Sequence, residues 1–106
     1  MLPELVWTRG AEIDLQAIYE EVEEFHPGGG DRLLTLLDAS LYLPCQFPEM
    51  APTFDPPIRR LLLSSKRHGL FYSLEMRGII LHAFADLRTD PNILKDRFRK
   101  IRRAPE

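Results

Sequence analysis

The stretch from Ile58 to Pro91, IRRLLLSSKRHGLFYSLEMRGIILHAFADLRTDP, constrains the fold of this chain more than any other part. Three apolar runs follow one another, separated by short breaks rich in basic residues and glycine, and this pattern predicts three strands joined as a meander. Ile58 to Leu63 is the first, with Arg59 and Arg60 on opposite faces because side chains alternate along a strand. Lys66-Arg67-His68-Gly69 is predicted as the turn that follows. Leu70, Tyr72, Leu74 and Met76 then share one face of the second strand. Arg77-Gly78 makes a tight connection in which Gly78 can take a positive φ. Ile79 to Ala85 is the most apolar run and is expected at the centre of the sheet.

The residues before the meander supply a strand and two helices. Glu4-Leu5-Val6-Trp7 is short, β-branched and aromatic, as strands are. Thr8 is placed to cap the helix that follows, through its hydroxyl. Ala11, Leu15, Ile18, Val22 and Phe25 recur at helical spacing and form one apolar stripe. His26-Pro27 and Gly28 to Gly30 end that helix in a glycine turn. Asp31 is expected to cap a second helix, with Leu33, Leu34, Leu37 and Leu41 on its apolar face and Pro44 and Pro48 stopping it near Leu43. Gln46 to Pro57 carries Pro48, Pro52, Pro56 and Pro57, so it is expected to be an ordered crossing loop, neither helix nor central strand. After the meander Asp90 caps a last helix with Pro91 at its first position. Leu94, Phe98 and Ile101 give that helix a narrow apolar stripe; Lys95, Arg97, Arg99, Lys100, Arg102 and Arg103 cover the rest. The order β-α-α-β-β-β-α predicts a two-layer α+β domain, a helical hairpin on a mostly antiparallel sheet.

At 106 residues the chain fits one domain, 1–106, with the last helix, about 91–103, as a C-terminal extension. No apolar run approaches the roughly 20 residues that span a bilayer, so no membrane partner is expected. MLPELVWTRG has no basic segment leading into an apolar one, which argues against a signal peptide. One cysteine, Cys45, allows no internal disulfide; a reducing, cytoplasmic setting follows, and Cys45 is read as a small buried apolar residue. His26, His68 and His82 have no metal-ligand spacing, and Gly28 to Gly30 is not followed by the Lys-Ser/Thr of a phosphate loop, so no metal or cofactor is expected. The net charge of −2 hides an asymmetry: residues 1–50 carry −8 and residues 51–106 carry +6. A concentration of basic residues of this kind suits an acidic partner.

Several of these elements resemble the RelE/ParE superfamily of bacterial toxins. The first helix of ParE-like toxins looks like A-x-x-D-L-x-x-I, and Ala11, Asp14, Leu15 and Ile18 stand in that pattern. Arg59, Arg60 and Leu61 match an Arg-Arg-Leu element at the start of the sheet. Phe71-Tyr72 and the run from Ile79 to Pro91 resemble the family's F-Y and I-x-L-x-A-x-x-D-L-R-x-D-P segments. The resemblance extends over about 85 residues, from Trp7 to Pro91.

The resemblance implies the toxin half of a type II toxin–antitoxin pair, a class that includes plasmid stabilisation systems, bound by the acidic C-terminal segment of a cognate antitoxin. Family members split by target: RelE-like toxins cut messenger RNA on the ribosome, whereas ParE-like toxins act on DNA gyrase. An RNase would need basic groups around the phosphoryl transition state and a residue for proton transfer. Arg59, Arg60 and Arg88 are the candidates for the charge, with Lys66 and Arg67 completing a single basic concavity. Ser73 stands where many relatives have a basic residue, no tyrosine follows Tyr72, and His82 lies within a strand beside Ile80 and Phe84 by alternation, as a packed residue rather than a base. The resemblance therefore points to a ParE-like, gyrase-directed toxin, with a ribosome-dependent RNase or a non-toxic binding module as alternatives. Arg59, Arg60, Lys66, Arg67, Tyr72, Arg88, Arg97 and Arg99 are the expected contacts with antitoxin or target.

Overall fold

A computed structural model describes residues 4–103, with side chains as far as Lys100. The elements are β1 (Glu4–Trp7), α1 (Arg9–Phe25), α2 (Gly29–Gln46), β2 (Thr53–Asp55), β3 (Ile58–Leu62), β4 (His68–Glu75), β5 (Gly78–Asp86) and α3 (Pro91–Arg103). The strands form one sheet in the order β1-β5-β4-β3-β2. β1 runs parallel to β5, and the other pairs are antiparallel. The molecule is thus α+β, with a helical hairpin on a mixed sheet. β4, not β5, occupies the centre, and residues 68–73 of β4 are buried without a break.

Thr8 caps α1 as expected: its Oγ1 accepts from the Ala11 N–H at 3.2 Å and donates to the Leu81 carbonyl at 2.8 Å. One hydroxyl therefore starts the helix and ties it to β5. Ala11, Leu15, Ile18 and Val22 pack on the sheet, while Phe25, one turn on, is 71% exposed. The turn between the helices is shorter than expected, because α2 already includes Gly29 and Gly30. Both are buried; a Cβ on Gly30 would lie 2.6 Å from the Tyr19 ring, and one on Gly29 would lie 2.9 Å from Val22. These glycines let the hairpin close tightly. Gly28 alone takes the left-handed conformation, at φ 86°. Asp31 is not the cap: it sits inside the first turn and accepts from the Tyr19 hydroxyl. The Glu23 carboxylate of α1 caps instead, accepting from the Gly28 and Gly30 N–H groups at 2.9 and 3.0 Å. A carboxylate at that end also complements the helix dipole.

α2 continues through Pro44 to Gln46, past the expected stop. Proline removes one backbone donor near the C-terminus, and its ring is fully buried in the core, which offsets that loss. The proline-rich crossing is ordered, but Thr53–Asp55 within it pairs with β3 as an edge strand. Proline is tolerated beside an edge because one side of the strand needs no ladder. Arg59 and Tyr72 hold the crossing down. Arg59 Nη1 donates to the carbonyls of Glu49 and Ala51, and the Tyr72 hydroxyl donates to the Pro48 carbonyl at 2.6 Å.

His68 and Gly69 belong to β4, not to the preceding turn, and Lys66 takes the positive φ of that turn at 62°. Leu70, Tyr72 and Leu74 face the helical hairpin, but Met76 projects fully into solvent from the Met76-Arg77 hairpin turn. Gly78 has φ 137°, and a Cβ there would overlap the Glu4 backbone, so a side chain would block the docking of β1. On the far face Ile58, Phe71 and Ala83 meet Leu94 and Phe98 of α3, with Phe54 of β2 edge-on to Phe71 and Phe98. α3 therefore seals the face that the hairpin leaves open. Asp90 starts α3, accepting from the Asn92 N–H at 2.9 Å. The side chains of Ile101, Arg102 and Arg103 lie outside the described residues.

Phe71 pairs with Ala83 and Tyr72 with Leu81, which leaves His82 as an extra residue in β5, a β-bulge. Alternation along β5 therefore breaks at His82. Phe84 joins Leu81 on the hairpin face, while His82 turns toward Phe98, so the two do not share a side. The bulge frees backbone groups that two charged side chains from separate helices satisfy: Asp14 Oδ2 of α1 accepts from the Phe84 N–H at 3.0 Å, and Arg97 Nη2 of α3 donates to the His82 carbonyl at 2.9 Å.

Candidate functional site

At the turn end of the hairpin, beside the start of β4 and the end of β5, lies a groove of about 580 Å³. Ile18, Val22 and Phe25 of α1 and Leu33 and Leu36 of α2 give it apolar walls. Its rim is charged: Arg32 from α2, Arg67 from the β3–β4 turn, Arg88 after β5, and opposing them Glu21 and Asp86. His26 and His68 complete the lining. Phe25, the last apolar residue of the α1 stripe, stands as an exposed lip of this groove.

Arg88 and Asp86 form a two-pronged pair, Nε to Oδ1 at 3.1 Å and Nη2 to Oδ2 at 3.0 Å. That pairing holds the Asp86 carboxyl down to about 2, so it stays charged through the physiological range. It also spends much of the Arg88 charge locally. Arg32 and Arg67 are exposed on the rim. His68 is buried in the groove wall, stacked on Phe84 at 5.4 Å, with Nδ1 lacking a hydrogen-bond partner among the described residues. Burial pushes its imidazole below the ordinary value, favouring the neutral form.

The expected basic residues do not converge. Arg67 and Arg88 meet at the groove, with the exposed Lys66 next to Arg67 in the same turn. Arg59 pairs in register with Tyr72 on the hairpin face, and Arg60 with Phe71 on the α3 face, where its guanidinium lies 5.6 Å from the Phe54 ring. No single concavity can hold both, because neighbouring strand residues point apart. Tyr72 is completely buried, so it supports the crossing loop and offers no surface. Arg97 is engaged by Asp14 at 2.9 Å and by the bulge, and Arg99 pairs with Asp96 on the outer side of α3. Around His82 a short chain of polar groups runs outward through Ser73: the His82 Nε2 lies 2.8 Å from Ser73 Oγ, which donates to the exposed Glu75 at 3.2 Å. Ser73 is buried, and burial lowers the His82 imidazole, so this set is a packed polar network. Cys45 packs against the core and burial pushes its thiol up, away from the reactive thiolate. Among the described residues no cluster of His, Cys, Asp or Glu could hold a metal ion, and no helix is long and apolar enough to cross a membrane.

Neither a family model nor a curated protein matches the sequence. Among solved structures, a chain of the chromosomal ParDE TA system from P. aeruginosa superposes with a TM-score of 0.71 at 20% identity, over 82% of this chain and 98% of that one. The fold is ParE-like. At that identity the likeness is one of architecture. Within the ParE-like fold, sequence reasoning placed Arg67 and Arg88 but passed over Arg32, His26 and the apolar lip. The available signal was Phe25, the fifth member of the α1 stripe, at the very end of its helix.

Proposed function

We propose that this chain is the toxin of a type II toxin–antitoxin pair, ParE-like in action, directed at DNA gyrase and neutralised by a cognate antitoxin in the cytoplasm. The observation that carries the reading is the groove at the turn end of the hairpin: apolar walls under a rim holding Arg32, Arg67 and Arg88, in a ParE-like fold. Such a groove suits an amphipathic segment that buries apolar side chains and sets carboxylates against the rim. An antitoxin tail, acidic and unfolded until bound, has that chemistry. The RNase alternative is weaker because Arg59 and Arg60 are separated by the sheet and Arg59 is engaged with backbone carbonyls. On this reading the whole chain acts as one unit, with α3 as its C-terminal extension.

Expression of the chain alone should arrest growth, and co-expression of the neighbouring gene for a small acidic-tailed protein should relieve the arrest. The purified chain should inhibit gyrase supercoiling without cutting messenger RNA on translating ribosomes. Ribosome-dependent cleavage that disappears in Arg88→Ala would replace this reading by the RNase one. No arrest at all would leave a binding module.

A further inference from the structure

The outer face of α2 carries an apolar stripe that nothing in the fold covers. Tyr42, Leu43 and Phe47 are 63%, 49% and 60% exposed, and Met50, just past the helix, is 49% exposed. Ala39, Tyr42, Leu43 and Gln46 occupy adjacent positions at helical spacing, on the side opposite the buried Leu37, Leu41 and Pro44, and Phe47 at the C-cap and Met50 after it extend the apolar surface. From Ala39 to Pro48 there is no charged residue, in a chain where 28% of residues are charged. The groove and α3 offer charge to an acidic partner; this stripe offers none.

We propose that this face is the contact between two copies of the chain, packed as antiparallel α2 helices about a two-fold axis. A two-fold contact brings each residue near its counterpart, so a stripe without charge meets no like-charge repulsion. The ends of the stripe are complementary. Exposed Asp38 lies at its N-terminal end, and the Arg59 guanidinium, anchored on the carbonyls of Glu49 and Ala51, lies beside Met50 at the other. Antiparallel pairing centred between them sets Asp38 of each copy against Arg59 of the other. The four large side chains expose on the order of 400 Å² per copy. Two copies bury about 800 Å² from these side chains, below the roughly 1,200 Å² at which stable interfaces begin, which corresponds to a weak, reversible dimer.

Sedimentation equilibrium of the full chain, from about 5 μM to about 500 μM, should show monomer and dimer exchanging within that range. Phe47→Glu and Tyr42→Glu should each weaken the dimer by at least about tenfold, as loss of a central aromatic anchor does, and Asp38→Arg should weaken it severalfold. Phe25→Glu, in the groove, should leave it unchanged. Far-ultraviolet circular dichroism checks that every variant is folded. A chain that stays monomeric throughout, or a dimer insensitive to both Phe47→Glu and Tyr42→Glu, overturns the proposal. A monomer whose Phe47→Glu variant loses binding to the antitoxin assigns the face to that partner and overturns it equally.

Discussion

At the scale of single residues, the arginines of this chain look alike in sequence and differ entirely in place. Arg59 fastens a loop, Arg97 fastens a bulge, Arg88 is paired with Asp86, and Arg67 is exposed at the groove rim. Nothing in the run IRRLLL distinguishes the roles of its two arginines; alternation says only that they part. The histidines show the same contrast. His68 and His82 are both held below 6.5 by burial, and each has Nδ1 without a partner among the described residues. The sign of the effect follows directly. Above about pH 6.5 folded and unfolded chains both carry neutral imidazoles, and stability is full. As pH falls below that value the unfolded chain binds protons that the folded chain resists, so stability falls until the folded imidazoles titrate as well. Urea midpoints measured from pH 7.5 to 5 should therefore decline, and the decline should flatten in His68→Phe combined with His82→Gln. Asp86 does not interfere, since it titrates near 2. An equally steep profile in the double variant would assign the dependence to other groups.

Among the elements, the bulge in β5 organises the most. It reverses the alternation of the strand, so that Leu81 and Phe84 both reach the hairpin face while Ala83 faces α3. It also draws α1 and α3 to the same few backbone atoms, through Asp14 and Arg97. Gly10 belongs to the same arrangement, because a Cβ there would lie 2.7 Å from Arg97 Nη2. Arg97→Ala should cost about 2 kcal/mol in urea denaturation, the scale of a hydrogen-bonded charge whose partners are left behind. Arg97→Lys should recover only part of it, since an ammonium cannot serve Asp14 and the His82 carbonyl with one planar fork. In a double-mutant cycle, Asp14→Ala and Arg97→Ala should be clearly non-additive. A loss below about 0.5 kcal/mol would reduce the pair to an ordinary surface contact.

On the scale of the whole molecule, the charge division of the sequence is only partly a division in space. The acidic first half folds into the hairpin and the basic second half into the sheet and α3, yet Arg32 of the first half and Arg67 and Arg88 of the second meet on one groove rim. On the proposed reading, the affinity for an acidic antitoxin segment should fall as salt is raised from about 50 to 500 mM, because exposed rim charges are screened over about a Debye length. Arg67→Glu should weaken binding and reduce that salt dependence, whereas Arg59→Gln should act mainly on stability. Isothermal titration at three salt concentrations checks both; an affinity indifferent to salt would make the contact apolar alone.

The sequence by itself determined the order of the elements other than the edge strand β2, the Thr8 and Asp90 caps, the glycine at the β4–β5 turn and the α+β class, because each depends on spacing or on a local backbone requirement. It could not show that Glu23 caps α2, that α2 runs through a buried proline, that Thr53–Asp55 pairs as an edge, or that β5 carries a bulge. Each of those is decided by a partner distant in sequence, which offsets a local penalty or satisfies a freed backbone group. The groove is of the same kind. Its residues come from both helices, the β3–β4 turn, the ends of β4 and β5 and the segment after β5, and only packing the hairpin on the sheet brings them to one rim.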